Sequence, residues 1–139
     1  MRVYSEEIHL STRGEVDIID ITGDVERIVK NSGISNGIAV IFCVGSTCAI
    51  STVEYEPGLK RDIPEALERL FPRDHYYHHE ETWHDGNGHS HVRATFLKPD
   101  LTVPILDGDL TLGTWQQIVF IELDVRNRDR KVIVQILGL

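Results

Sequence analysis

The chain is short of cysteine, of positive charge and of long apolar runs, and each shortage removes a class of function. Its 139 residues hold two cysteines, Cys43 and Cys48, too few for the disulfide framework of a small secreted domain. Spacing alone leaves open whether the two pair. Both fall in apolar strand surroundings, where thiols are usually inert. Fourteen Lys and Arg stand against twenty-two Asp and Glu, a net charge of −8 with the histidines neutral. That balance argues against non-specific nucleic-acid binding, which needs a basic face, and against a membrane-surface helix. No apolar run approaches the ~18 residues of a membrane span. No basic segment followed by an apolar stretch opens the chain, so a cytoplasmic location is expected. Phosphate-binding glycine-lysine loops, dinucleotide fingerprints and nucleophile elbows are missing, as are repeats and low-complexity tracts.

What is present fits one globular domain spanning residues 1–139, with 41% hydrophobic and 26% charged residues. Residues 2–10 and 15–22 read as strands, and Val25, Ile28 and Val29 recur at helical spacing before Gly33. Residues 37–44 are continuously apolar, as in a strand buried on both faces. Gly45-Ser46 is a two-residue hairpin signal leading to a return strand over 47–54. A second helix carries Leu59, Ile63, Ala66, Leu67 and Leu70 as its apolar stripe and ends at Pro72, and Pro64 predicts a start near Asp62. Residues 90–98 are ambiguous but compatible with a short helix. Strands are expected over 101–107, where Pro104 marks an edge or a bulge, and over 115–125 and 131–137, joined as a hairpin. About seven strands and two to three helices, with hairpin connections, make the class α+β with a largely antiparallel sheet arrangement.

The most informative stretch is His75 to His91, which holds six of the seven histidines interleaved with Glu80, Glu81, Asp85 and Asn87. Neutral imidazoles are the commonest protein metal ligands. His89 and His91 share a face on an extended backbone, with His79, His78 or His84 available as a third ligand. The plainer alternative is a surface loop in which the histidines pair with Glu80, Glu81 and Asp85. Asp85-Gly86-Asn87-Gly88 is either a nest offering backbone N–H groups and the Asn87 amide to an anion or an ordinary turn. Glu54, at the end of a buried strand, is either a candidate general base or ligand or a solvated strand terminus next to Tyr55 and Glu56. Arg93 is either a candidate phosphate fork or simply a partner for Asp or Glu. Trp115 is a stacking wall or a core tryptophan, and Gln116 is suited to reading a polar heterocycle.

Together these motifs resemble the YjbQ (UPF0047) family, also called the secondary thiamine-phosphate synthase family. The most specific parts are Asn87-Gly88-His89-Ser90-His91 and Leu112-Gly113-Thr114-Trp115-Gln116, supported by the stretches Ser51 to Asp62 and Tyr77 to Trp83. The resemblance implies a two-sheet α+β fold, a homotrimer, and a polar pocket on Glu54, Asp62, His79, Asn87, His91, Thr114 and Gln116. It also implies a weak thiamine phosphate synthase activity. In that reaction a pyrimidine methyl diphosphate joins a thiazole phosphate with release of pyrophosphate, and charge on the leaving group must be neutralised. His79, His89, His91 and Arg93 are expected to serve the diphosphate with a divalent metal, Mg²⁺ for the transfer or Zn²⁺ at the histidines. The metal ligands would be His79, His89 and His91. Glu54 or Gln116 would orient the aminopyrimidine, and Asp62, Asn87, Thr114 and Trp115 would complete the site for a small phosphorylated metabolite. The chain departs from the family's common form at Gly45, where many members carry histidine. The alternatives are a metal-dependent hydrolase, a non-catalytic trimeric binder of a metal or phosphometabolite, and histidines that serve a trimer interface.

Overall fold

The computed structural model describes residues 1–139. The chain runs β1 (Arg2–Ser11), β2 (Asp17–Asp20), α1 (Thr22–Ser32), β3 (Gly37–Cys43), β4 (Cys48–Val53), α2 (Pro57–Leu70), α3 (His79–Trp83), α4 (Gly88–Leu97), β5 (Asp100–Leu106), β6 (Asp109–Leu110), β7 (Gln117–Glu122) and β8 (Asp129–Gly138). One sheet has the order β1-β8-β3-β5-β6 and the other β2-β7-β4. Every pairing is antiparallel, so the α+β expectation holds, with four helices.

Alternation along the strands sets the layers. In β7, Ile118 and Phe120 join the core between the sheets, where they meet Val25 and Ile28 of α1, Ala39 and Ile41 of β3, and Val134 and Ile136 of β8. The alternate residues Val119 and Ile121 face the other way and pack under Leu67 of α2 and Ala94 of α4. The small sheet is therefore a middle layer covered on both faces, and its central strand β7 is the one buried throughout. The larger sheet has an open outer face, on which Val3, Ile38, Phe42 and Leu106 are exposed.

Four expectations need correction. β3 and β4 do not form a hairpin, because β3 pairs with β5 and β8 while β4 pairs with β7. β7 and β8 likewise lie in different sheets. At both places a short link carries the chain across the roughly 10 Å between sheets, because an apolar strand buried on both faces must sit in the middle layer. β3 is not that strand, since Ile38 and Phe42 face outward. Finally, α2 starts at Pro57 rather than near Asp62. The Glu56 carboxylate accepts from Gly58 N–H at 2.8 Å and Leu59 N–H at 2.6 Å. This cap fixes the start, and Pro64 is carried inside the helix.

Candidate metal centre

The segment between α2 and α4 folds back on itself through one carboxylate. Glu80, in α3, accepts from Gly86 N–H at 2.6 Å and from Gly88 N–H at 3.1 Å. The nest read in Asp85–Gly88 is thus filled by a side chain of the same segment. This clamp turns Asp85 inward, where its Oδ1 accepts from Asn87 N–H at 3.0 Å and lies 3.1 Å from His79 Nε2. His91 sits one turn into α4, and its ring lies against that of His79 with centroids 4.5 Å apart. One ligand atom from each of His79, Asp85 and His91 falls within 4.8 Å of the others, and all three side chains are part-exposed. Two imidazoles and a carboxylate fit zinc and similar divalent transition ions.

The electrostatics suit a cation. Burial opposes ionisation of Asp85, yet the Asn87 N–H and the His79 ring hold its carboxyl below the ordinary range. Burial, followed by the nearby His79, lowers the His91 imidazole from its ordinary value, which keeps a lone pair free at neutral pH. Behind His91 lies Asp124, almost fully buried. Burial pushes the Asp124 carboxyl up, but the Arg126 N–H, Arg128, Thr47 and Asn87 together hold it down. Thr47 Oγ1 donates to it at 3.0 Å and Arg128 Nη2 at 2.9 Å. The connection between β3 and β4 closes the site, with the Ser46 backbone near enough to favour the charged His91 ring slightly.

Several predicted site residues lie elsewhere. His89 does not join His91. Both are on a helix, where residues two apart point about 200° apart, and not on the extended backbone that would give them one face. His89 Nε2 instead lies 2.7 Å from Glu15 Oε2, and the ring is buried. Arg93 is no phosphate fork. It is also buried, and bonds the Phe71 carbonyl through Nε and Nη2 at 3.1 and 2.9 Å and Glu68 at 2.9 Å. Asn87 is buried, and its Oδ1 accepts from Ser90 Oγ and Val125 N–H, so it ties α4 to the end of β7.

Glu54, Asp62, Thr114, Trp115 and Gln116 are exposed. Gln116 Nε2 donates to Thr52 Oγ1 at 3.2 Å and its Oε1 accepts from Gly113 N–H at 3.0 Å. This group flanks the end of β4 and the start of β7, whereas Ser46 and Asp124 flank the start of β4 and the end of β7. The expected pocket is therefore divided between opposite ends of the small sheet within one chain. Sequence reading passed over Asp85 as a ligand, and Asp124 and Glu80 as its supports. Only the position of Asp85 six residues after His79 in a glycine-bounded turn pointed to it. A surface groove of about 680 Å³ between α1 and the β5–β6 turn carries Glu26, Arg27, Lys30 and Asp109 and no converging set of histidines.

Gly88 is where the segment leaves no room. A Cβ there would stand 2.4 Å from Tyr77 Cβ. Gly88→Ala is expected to displace the 75–88 segment and weaken divalent-ion binding while the two-sheet core stays folded. Ion titration and a thermal melt on the same sample check both halves.

The profile described as UPF0047 protein YjbQ-like matches residues 6–139. A UPF0047 protein of Methanothermobacter thermautotrophicus is 43% identical over 138 residues, covering 99% of this chain and 94% of that protein. One from Archaeoglobus fulgidus is 40% identical over 131 residues, covering 94% and 99%. Among solved structures, a YbjQ-like protein of unknown function from Sulfolobus solfataricus superposes with a TM-score of 0.95 at 40% identity and 99% coverage of both chains. A YjbQ/UPF0047 protein of Clostridium acetobutylicum superposes with a TM-score of 0.86 at 40% identity, covering 95% and 99%. No helix is long and apolar enough to cross a membrane.

Proposed function

The chain belongs to the UPF0047 protein YjbQ-like family, and from that premise we propose that it is a divalent-metal-dependent enzyme acting on a small phosphorylated metabolite. The observation that carries this reading is the convergence of His79, Asp85 and His91. His79 and His91 would supply imidazole nitrogens and Asp85 an oxygen, with other coordination positions left for substrate or water. A divalent ion there supplies charge neutralisation for a phosphate or diphosphate oxygen, or activates a water.

The chain's own residues do the rest. The Asp85 carboxylate and the His79 ring, now sharing a hydrogen bond, hold the lone pairs that a cation competes for. The Ser46 backbone lies beside the His91 ring on the side of the β3–β4 connection. Asp124 adds negative potential behind His91, and Arg128, 43% exposed and anchored on Asp124, is the cation at the rim. Thiamine phosphate formation is the reaction to try first. Glu54, Trp115 and Gln116 would meet the pyrimidine only from a neighbouring copy, as in a homotrimer. The exposed apolar residues on the outer face of the large sheet support such an assembly.

The test is product formation from the two precursors with Mg²⁺ or Zn²⁺, for the wild type beside His91→Ala and a protein-free blank. A rate above blank that the substitution removes at unchanged oligomeric state supports the reading. A rate equal to blank removes this reaction. A second reading, a non-catalytic holder of a metal or phosphometabolite, is favoured by Gly45, which brings no imidazole to the site. It predicts ligand-dependent thermal stabilisation without turnover.

The lowered His91 fixes a pH dependence. In chelator, the unfolded chain takes up a proton on this residue near the ordinary imidazole value of about 6.5, and the folded chain does so only at lower pH. Between those values the unfolded state binds more protons, so stability falls as pH drops below about 6.5. Denaturant melts at stepped pH should show that slope, and His91→Asn should flatten it.

A further inference from the structure

Cys43 ends a strand of the large sheet and Cys48 begins a strand of the small one. Both are free and fully buried, and the four residues between them form the crossing that closes the candidate metal centre. Both side chains point into the core between the sheets, one at each end of that crossing, and each thiol shifts the other's titration. Their surroundings are not simply apolar, as sequence context suggested. A Cβ on Gly45 would stand 3.1 Å from Cys48 Sγ and 2.6 Å from Arg130 Nη1, so the absence of a side chain at Gly45 leaves room for the thiol and a guanidinium on the same side of the chain. The cover over the pair is thin, since Val44, Gly45 and Ser46 are all exposed. The sulfurs are also inequivalent. The neighbouring Cys43 thiol, followed by the Arg130 guanidinium, lowers the Cys48 thiol against the effect of burial. The neighbouring Cys48 thiol, together with burial, pushes the Cys43 thiol up. A thiolate-prone sulfur beside a cation and next to a second thiol is the arrangement of an attacking and a resolving cysteine.

We propose that Cys43 and Cys48 are an oxidisable dithiol, which a hydroperoxide converts into an intrachain disulfide that joins the two sheets beneath the candidate metal centre. The Cys48 thiolate attacks one peroxide oxygen, the O–O bond breaks, hydroxide leaves and Cys48 becomes a sulfenic acid. Cys43 gives up its proton and attacks the Cys48 sulfur, and the S–O bond breaks with loss of water. In sum, two thiols and one hydrogen peroxide give one disulfide and two waters, the sulfurs being oxidised and the peroxide reduced. A dithiol reductant reverses the change. Closing the bond pulls on the Val44–Thr47 connection, whose Thr47 hydroxyl holds Asp124 and whose Ser46 backbone lies beside the His91 ring. Oxidation should therefore weaken ion binding at His79, Asp85 and His91. This last step rests on the metal-centre reading above, while the disulfide itself does not.

The test treats the reduced full-length protein with hydrogen peroxide and counts alkylatable thiols in denaturant by intact mass, before and after dithiothreitol. Two thiols should disappear together, with a loss of two hydrogens, and both should return on reduction. Cys43→Ser should stop at a sulfenic acid on Cys48 that dimedone traps, and in Cys48→Ser the remaining thiol should persist. Co²⁺ affinity of the oxidised wild type should fall roughly 10-fold, the lower range for disturbed outer-shell partners. Two thiols that stay alkylatable, or Cys48 passing to a sulfinic acid with Cys43 untouched, would overturn the dithiol. A disulfide with unchanged Co²⁺ affinity would overturn only its link to the metal centre. Reduced protein that binds no Co²⁺ at all would overturn the metal reading and leave the disulfide standing.

Discussion

His91→Ala is expected to lower the affinity for Zn²⁺ or Co²⁺ by about 100-fold or more, while His89→Ala leaves that affinity near the wild-type level. Disturbing outer-shell partners alone costs roughly 10–100-fold, and His91 is placed as a direct ligand beside His79 and Asp85. His89, two residues earlier on the same helix, is turned away and lies against Glu15, which also lies 2.7 Å from Arg73 Nη1 and 3.5 Å from Arg93 Nη1. Removing the His89 ring takes one buried partner from that carboxylate. The loss should appear as reduced stability, about 1–3 kcal/mol for a buried polar group losing its partner. Equilibrium ion titration and denaturant melts of both variants give a crossed pattern: one loses binding and keeps stability, the other the reverse. Equal losses of binding in both would mean that the two imidazoles act together, as an extended backbone would have placed them.

The second large effect concerns the ion pair where the two sheets meet. Arg130 Nη2 lies 2.5 Å from Glu122 Oε2, and Arg130 Nε donates to Oε1 at 2.8 Å. Glu122 is fully buried, and its side chain also accepts from Thr12 Oγ1 at 2.7 Å. Arg130 reaches on to the Thr47 carbonyl and hydroxyl, so one guanidinium ties β8 to β7 and to the β3–β4 crossing. Arg130→Met is expected to destabilise the chain by roughly 3–5 kcal/mol, because it strands a carboxylate in the interior. Adding Glu122→Leu should recover much of that loss, since a buried pair replaced by apolar groups of similar size is often neutral. Urea melts of the two single variants and the double variant decide this. A single variant within about 0.5 kcal/mol of wild type, the usual range for surface changes, would show that water reaches Glu122 and that the pair does not secure the crossing.

The fold was legible where local chemistry settles it. Val25, Ile28 and Val29 before Gly33 marked α1, which ends with Gly33 at φ 67°. The apolar strands and their limits were close to those found. What failed was pairing, which is a long-range property. Gly45-Ser46 reads locally as a hairpin, yet the partners of β4 are chosen by burial on both faces of a middle layer. The site divides in the same way. His79 and His91 were legible from histidine enrichment, but their company depended on whether residues 88–97 are helix or strand. The apolar spacing of Val92, Ala94 and Phe96 did not settle that. Asp85 looked like a turn residue, and its direction is set by Glu80 bonding two N–H groups farther along the segment. Cys43 and Cys48 looked apolar because Glu122 and Arg130 are distant in sequence from them. Glu54 and Gln116 were grouped with the histidines through family resemblance, while the run of β4 and β7 separates them within one chain.

The most direct test of the metal centre is a crystal of the full-length protein grown with Zn²⁺ and measured above the zinc absorption edge. The account predicts one anomalous peak per chain at bonding distance, about 2.0–2.2 Å, from His79, Asp85 and His91. An anomalous map with no peak there, or with its peaks only at His89 or at the exposed His75 and His78, would contradict it.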